Sequence, residues 1–227
     1  GAIYIRFGEI TAQNVRFADN LANYQGGAIY LYDSVFTGTQ VFFAGNASQI
    51  YYGGAIYAVS SEIDCINAIF SDNSAEAGGG IFLTGSSTSV STLMLDHISA
   101  TLNEARQGGF VRSIHADITI TNSIITDTIK GYAFSASSST GTSYAQTHSM
   151  LFNNSPGDFL TITDPAGSNG NVSADPKWVD LTNDQNWEND DWELSSTSPA
   201  IDKGTGDKDI DDTTADMGAY GGPFGDW

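Results

Sequence analysis

The chain of 227 residues carries 27 acidic side chains against eight basic ones, a formal charge of −19, with 40% hydrophobic residues. That balance argues against nucleic acid and anionic lipid as partners and leaves enough apolar material for a core. No run approaches the ~18–20 apolar residues of a membrane span, no signal peptide opens the chain, and a lone cysteine, Cys65, rules out an internal disulfide or a cysteine-based zinc site.

Gly1-Ala2-Ile3-Tyr4 already reads as repeat material, so the chain is expected to be trimmed at its start or to begin on an open strand edge. The first full pass runs Ile10, Ala12, Asn14, Val15, Phe17 and Asn20, closed by Gly26-Gly27-Ala28-Ile29. Later passes end on Asn46, Asn73, Asn103, Thr128 and Asn154, at spacings of 26, 27, 30, 25 and 26 residues. A repeat of this length built from short strand-like pieces means a solenoid.

Aligned, the passes form columns. One holds Ile10, Phe36, Ile63, Leu93, Ile118 and Tyr144; another holds Phe17, Phe43, Phe70, Ala100, Ile125 and Leu151. Apolar alternation on either side of a one-residue frame shift predicts two short strands meeting at a bend. A third strand starts at each Gly-Gly, as in Ala28-Ile29-Tyr30-Leu31 and Ala55-Ile56-Tyr57-Ala58, because paired glycines permit positive φ and close backbone approach. Helix is excluded by the short β-branched and aromatic pieces broken by Gly, Ser and Asn, and a propeller by its ~40-residue blade. The fold class expected is all-β: a right-handed single-stranded parallel β-helix with three strands per coil and about six coils, spanning residues 1–160. The handedness follows the general rule for parallel crossovers.

Stacked coils place Phe17, Phe43 and Phe70 in an aromatic pile and Asn20, Asn46, Asn73, Asn103 and Asn154 in an amide ladder. Cys65 falls in an inward column and reads as a small buried hydrophobe. His97 and His148 share a polar column with Asn14, Gln40, Asn67 and Asn122 and read as ladder or bend residues; His115 reads as surface. The serine-rich run from Ser135 to Tyr144 is expected as a lateral loop. After Phe159 the repeat dissolves, and residues 161–227, which hold Trp178, Trp187, Trp192 and Trp227, are expected as an irregular cap packed on the same solenoid and closing its core.

The Gly-Gly-Ala-Ile and Phe-x-x-Asn motifs (Phe17 to Asn20, Phe43 to Asn46, Phe70 to Asn73) resemble those of bacterial polymorphic outer-membrane and autotransporter-type passenger domains. The tail segments Asp175 to Asp180, Asp191 to Leu194, Ser198-Pro199-Ala200-Ile201-Asp202 and Asp216-Met217-Gly218-Ala219-Tyr220 are similar to the C-terminal segment of secreted bacterial parallel β-helix proteins. The resemblance implies a pectate-lyase-like superhelix exported by bacteria. Such proteins include adhesins, surface-layer components and carbohydrate-active enzymes, so it leaves function open.

Three kinds of site are legible. Asp207, Asp209, Asp211, Asp212 and Asp216 concentrate carboxylates as a structural Ca²⁺ would require, although the Gly and terminal Glu of an EF-hand loop are missing and a solvated turn is the alternative. Arg106, Arg112 and Lys130 are the candidate bases of a polysaccharide lyase, with only Glu104 and Asp117 as acidic neighbours in the repeat. Tyr30, Tyr32 and Tyr57, among the tyrosines near the Gly-Gly corners, could form an aromatic stripe for a glycan or pack along the outer ladder. The leading expectation is an extracellular or cell-surface structural or adhesive module, without catalysis and with no cofactor beyond that calcium. Its open first coil would pair with upstream coils or with a second copy, head to tail. The rivals are a carbohydrate-active enzyme and a non-catalytic glycan-binding module.

Overall fold

The computed structural model describes residues 1–137, 141–184 and 186–226. Coil 1 holds β1 (Ile3–Arg6), β2 (Glu9–Ala18) and β3 (Leu21–Ala22), and coil 2 holds β4 (Ile29–Tyr32), β5 (Val35–Ala44) and β6 (Ala47–Ser48). Coil 3 follows with β7 (Ile56–Val59), β8 (Glu62–Ser71) and β9 (Ser74–Ala77), and coil 4 with β10 (Ile81–Thr84), β11 (Ser91–Thr101) and β12 (Glu104–Gln107). Coil 5 holds β13 (Val111–Ile114), β14 (Ala116–Thr121) and β15 (Ile124–Thr126); coil 6 holds β16 (Phe134–Ala136), β17 (Ser143–Thr147) and β18 (Met150–Phe152). A seventh begins at β19 (Phe159–Leu160), and the tail adds β20 (Trp178–Asp180), a single 3₁₀ turn at Trp187–Asn189 and β21 (Asp191–Leu194).

Like strands of successive coils pair in parallel, giving a sheet of seven strands, one of eight and one of four; the β20–β21 ribbon is antiparallel. The fold is therefore the all-β parallel solenoid of about six turns that the repeat predicts. Its register follows the columns: Ile10 pairs with Phe36 and Phe17 with Phe43, Phe36 with Ile63, and Phe43 with Phe70.

Three local features differ from expectation. In coils 1–4 the pieces on either side of the bend form one bent strand, because a single residue turns to the left-handed region and the ladder resumes after it; in coils 5 and 6 they stay two short strands, as expected. Asn14, Gln40, Asn67, His97, Asn122 and His148 all take φ between 44° and 54°. A short strand after each ladder asparagine, beginning at Leu21, Ala47, Ser74 and Glu104, makes a sheet the periodicity did not reveal. Two to four residues are too few for an alternation to register. The serine-rich loop is shorter than read: Ser135 and Ala136 continue β16 against Arg112 and Ser113, and Ser143 and Tyr144 open β17. Residues 138–140 of that run lie outside the described residues.

The interior is filled by the columns. Phe17, Phe43 and Phe70 stack with centroids 4.9 and 4.8 Å apart and rings within 11° of parallel. Between these piles and the corners run polar ladders. Ser34 N donates to Ser61 Oγ (3.1 Å), and Ser61 N to Ser91 Oγ (3.3 Å), while each hydroxyl donates to a backbone carbonyl of its own corner. Ser61→Ala removes one acceptor and one donor at a buried corner. Its expected cost is about 1–2 kcal/mol, read as a lowered denaturant midpoint with an unchanged slope.

Residues beyond the sixth coil do two things. Phe159 and Ile162 lie against the end of the core, with Phe159 5.6 Å from Phe134. Asn169 to Val172 then bond along coil 6, where His148 N donates to Asn169 O and Leu151 N to Val172 O. The rest runs as a strap down the flank. Trp178 Nε1 donates to Thr126 Oγ1 in coil 5, Trp192 Nε1 to Thr101 Oγ1 in coil 4, and Trp187 Nε1 to Asp19 Oδ1 in coil 1. Most of the segment expected to close the core end thus covers a side instead, because the outer face of the long sheet is itself apolar there: Phe42, Ala44 and Ile69 are buried against Trp187, Trp192 and Ala219.

Candidate functional site

The ladder residues are held inside the turns. Asn46 Nδ2 donates to Asn73 Oδ1, and Asn73 Nδ2 to Asn103 Oδ1, each at 3.0 Å; Asn20 Nδ2 makes the same bond to Asn46. Each of these Oδ1 atoms also accepts the backbone N–H of the preceding asparagine. Thr128 interrupts the amide series, but its N–H donates to Asn154 Oδ1 at 3.1 Å, so the backbone half of the pattern persists. Asn154 Nδ2 turns instead to Ile125 O and Asp158 Oδ1.

The bend column anchors the strap. Asn67 Nδ2 donates to Ala219 O (2.7 Å) and Gly221 O (2.6 Å), Gln40 Nε2 to Phe224 O (3.0 Å) and Asn122 Nδ2 to Thr205 O (3.0 Å). His97 belongs to the same column, buried, with Nδ1 3.1 Å from Asp96 Oδ1. His148 stands two coils from it, and His115 is half-buried, with Gly141 packed close to its ring. The sequence carries a signal for this strap surface that the repeat columns do not isolate. Val41-Phe42-Phe43-Ala44, Ala68-Ile69-Phe70, Ile124-Ile125 and Met150-Leu151 are continuous apolar runs, the mark of a strand covered on both faces.

Tyr30 and Tyr57 stand in one outward column of the first sheet, between Tyr4 and Phe82, with centroid steps of 5.0, 5.0 and 5.5 Å. Tyr32 lies in the neighbouring column, edge-on to Phe7 and with the Arg6 guanidinium 5.2 Å from its ring centroid. The rings lean on one another. Tyr57 is buried between Tyr30, Tyr52 and Phe82, and that burial pushes its hydroxyl up to about 12. The freely exposed tyrosines are Tyr4, Tyr24 and Tyr51.

The acidic loop uses its carboxylates within itself. Asp209 accepts from the N–H groups of Asp216 and Gly222, Asp211 from the N–H and hydroxyl of Thr213, and Asp216 from Asp202 N at 2.7 Å. Asp212 pairs with Lys208 Nζ at 2.7 Å, and Asp207 is exposed. Among the described residues no three His, Cys, Asp or Glu side chains converge as a metal site. The candidate bases have different partners: Arg106 pairs with Glu76, Lys130 lies 3.7 Å from Glu104, and Arg112 donates to Ser135 Oγ at 3.2 Å. Burial lowers the Arg112 guanidinium from its ordinary value.

Two neighbouring cavities lie along one edge of the strap. One of about 630 Å³ is bounded by Asp127, Asn153, Asp175, Lys177 and Trp178; its neighbour, of about 400 Å³, is bounded by Asp19, Asp72, Glu104, Trp187 and Glu188. Both share Leu102 and Ile129, so they form one acidic groove between solenoid and strap.

Fold and site together define a parallel β-solenoid repeat protein with a flank strap. Residues 14–32 match the Chlamydia polymorphic membrane protein repeat, a stretch covering the first bend, the first ladder asparagine and the Gly-Gly corner. No curated protein and no solved structure matches the chain significantly. The repeat match and the solenoid fit a bacterial β-helix repeat protein of the surface-related kind.

Proposed function

We propose that the chain is a structural β-solenoid segment exported to a bacterial cell surface, where it presents or spaces other parts and performs no chemistry. The observation that carries this reading is where the polar side chains go. The ladder asparagines hold coil to coil, the bend amides hold coil to strap, and the candidate bases are committed to separate partners. The match to a polymorphic membrane protein repeat supports the location.

The partner this reading assigns is another β-helix coil of the same sense. Coil 1 leaves one edge of β1, β2 and β3 unpaired, and inward residues Ile3, Ile5, Ile10 and Val15 are only partly covered, whereas their equivalents in coil 2 are better buried. Unpaired strand edges above exposed apolar side chains invite strand addition. The opposite end is covered by Phe159, Ile162 and residues 169–172, which argues for a foreign or upstream coil over a second copy joined tail to head.

Incubation with uronate and neutral polysaccharides is expected to give no chain cleavage. Cleavage that Arg106→Ala or Arg112→Ala abolishes would overturn the reading in favour of a lyase. A glycan-binding role rests on the exposed Tyr4, Tyr24 and Tyr51, the last two stacked 5.8 Å apart. Retention on a glycan array that is lost in Tyr24→Ala would support it.

A further inference from the structure

We propose that the strap is a pH-sensitive latch, closed on the flank of the solenoid when the carboxyl groups across its seam are protonated and loosened when they ionise.

The seam brings like charges together. Its solenoid wall carries Asp19, Asp72 and Glu104, and its strap wall carries Asp184, Glu188 and Asp190. Two cations lie nearby: Lys130, 3.7 Å from Glu104, offsets that one carboxylate, and Arg16 sits over the rings of Phe42 and Trp187 at 4.7 and 5.1 Å; Asp180 adds a further negative charge facing Asp190. Asp190 Oδ1 accepts from Thr182 N and Oγ1, but its Oδ2 is buried without a hydrogen-bond partner among the described residues. A buried carboxylate oxygen in that position is costly when charged and acceptable when the group is neutral.

Asp72 links this charge to the strap's main anchor. Its Oδ2 accepts from Ser71 Oγ (2.7 Å), Ser71 Oγ lies 3.2 Å from Thr101 Oγ1, and Thr101 Oγ1 accepts the indole N–H of Trp192 (2.9 Å). Burial pushes the Asp72 carboxyl up to about 6; its bond from Ser71 works against that, and the charges of Asp190 and Asp184 add to it. Asp190 is raised as well, first by burial. A carboxyl raised in the closed form favours closure fully below its free value near ~4, and that contribution is gone once pH passes the closed-form value. Asp19, which takes the Trp187 indole N–H at 3.2 Å, keeps a bond that needs no proton. Opening uncovers Phe42 and Ile69, the apolar flank under Trp187 and Trp192.

The test is acrylamide quenching of tryptophan emission between pH ~4 and ~8, on the full chain in a Trp227→Phe background, so that Trp178, Trp187 and Trp192 report. Quenching is expected to rise between pH ~4 and about 6, the window between the free and the closed-form values of Asp72. Asp72→Asn should abolish that transition and keep the tryptophans protected, Asp190→Asn should weaken it, and Asp207→Asn in the acidic loop should leave it unchanged. Far-ultraviolet circular dichroism is expected to stay constant throughout. Quenching independent of pH, a transition that survives Asp72→Asn, or simultaneous loss of the β signal would each overturn the proposal.

Discussion

Gly54→Ala is expected to prevent the chain from reaching a stable folded state, while Gly8→Ala leaves it nearly unchanged. A Cβ on Gly54 would lie 2.0 Å from Gly79 O and 2.7 Å from both Ser74 N and Ser74 O. These are backbone atoms of the next coil, and they cannot withdraw without breaking two sheets. The same collision recurs at Gly27 and Gly79, so the second glycine of each corner is required for coils to approach at all. The first is required for its dihedral: Gly26, Gly53, Gly78 and Gly108 have φ between 61° and 68°. Overpacking against immobile atoms costs about 3 kcal/mol or more, a large share of a net stability of ~5–15 kcal/mol. Gly8 would meet only the Ile5 side chain, at 3.3 Å. Soluble yield and melting temperature of the two variants, measured side by side, check the contrast. Equal behaviour would mean that the corners are not close-packed.

Asn73→Ala is expected to cost about 3–5 kcal/mol, several-fold more than Asn20→Ala. Asn73 is fully buried, and its amide donates to Phe43 O (2.9 Å) and Asn103 Oδ1 while its oxygen accepts from Asn46 N and Asn46 Nδ2. Alanine takes one partner from each of four buried groups in the two neighbouring coils, although Asn103 Oδ1 keeps the N–H of residue 73 and Asn46 Nδ2 keeps Phe17 O. Asn20 is half-exposed at the open edge, and water replaces what its removal leaves behind. Asn73→Asp keeps the shape but loses both N–H donors and buries a charge, so it should be at least as damaging as alanine. Chemical denaturation of the three variants supplies the comparison. The double variant Asn46→Ala/Asn73→Ala should lose less than the sum of its parts, since the bonds between those two asparagines are counted in both single changes.

The solenoid was legible because its repeat is written in side chains that stack on their own kind. Phe17, Phe43 and Phe70, or Asn46, Asn73 and Asn103, satisfy one another across a fixed coil spacing, so identity recurs wherever geometry does. The strap was only half legible. Its tryptophans marked it as packed, but an irregular segment leaves no period to say against what. The decisive clue lay in the solenoid, in outward residues such as Phe42 and Ile69 that no solvent-facing strand would carry. The tyrosine column was legible in part. Alternation places Tyr30 and Tyr57 outward, as observed, but it cannot tell an exposed ring from one leaning on its neighbour, and Tyr57 leans. The acidic loop reads as a cation site from composition alone, whereas geometry spends Asp209, Asp211 and Asp216 on the loop's own N–H and hydroxyl groups.

The central claim is that coils are held by repeating, self-complementary ladders and that coil 1 is a template for one more. It is tested by placing a copy of residues 28–53 directly ahead of Gly1, which sets a second Asn46 one coil before Asn20 and continues the Gly-Gly corner in register. Nearest-neighbour stacking predicts a single cooperative transition at a higher melting temperature, by ~2–4 °C for each kcal/mol that the added interface contributes. An unchanged or lowered melting temperature, or a separate transition for the added coil, would contradict it.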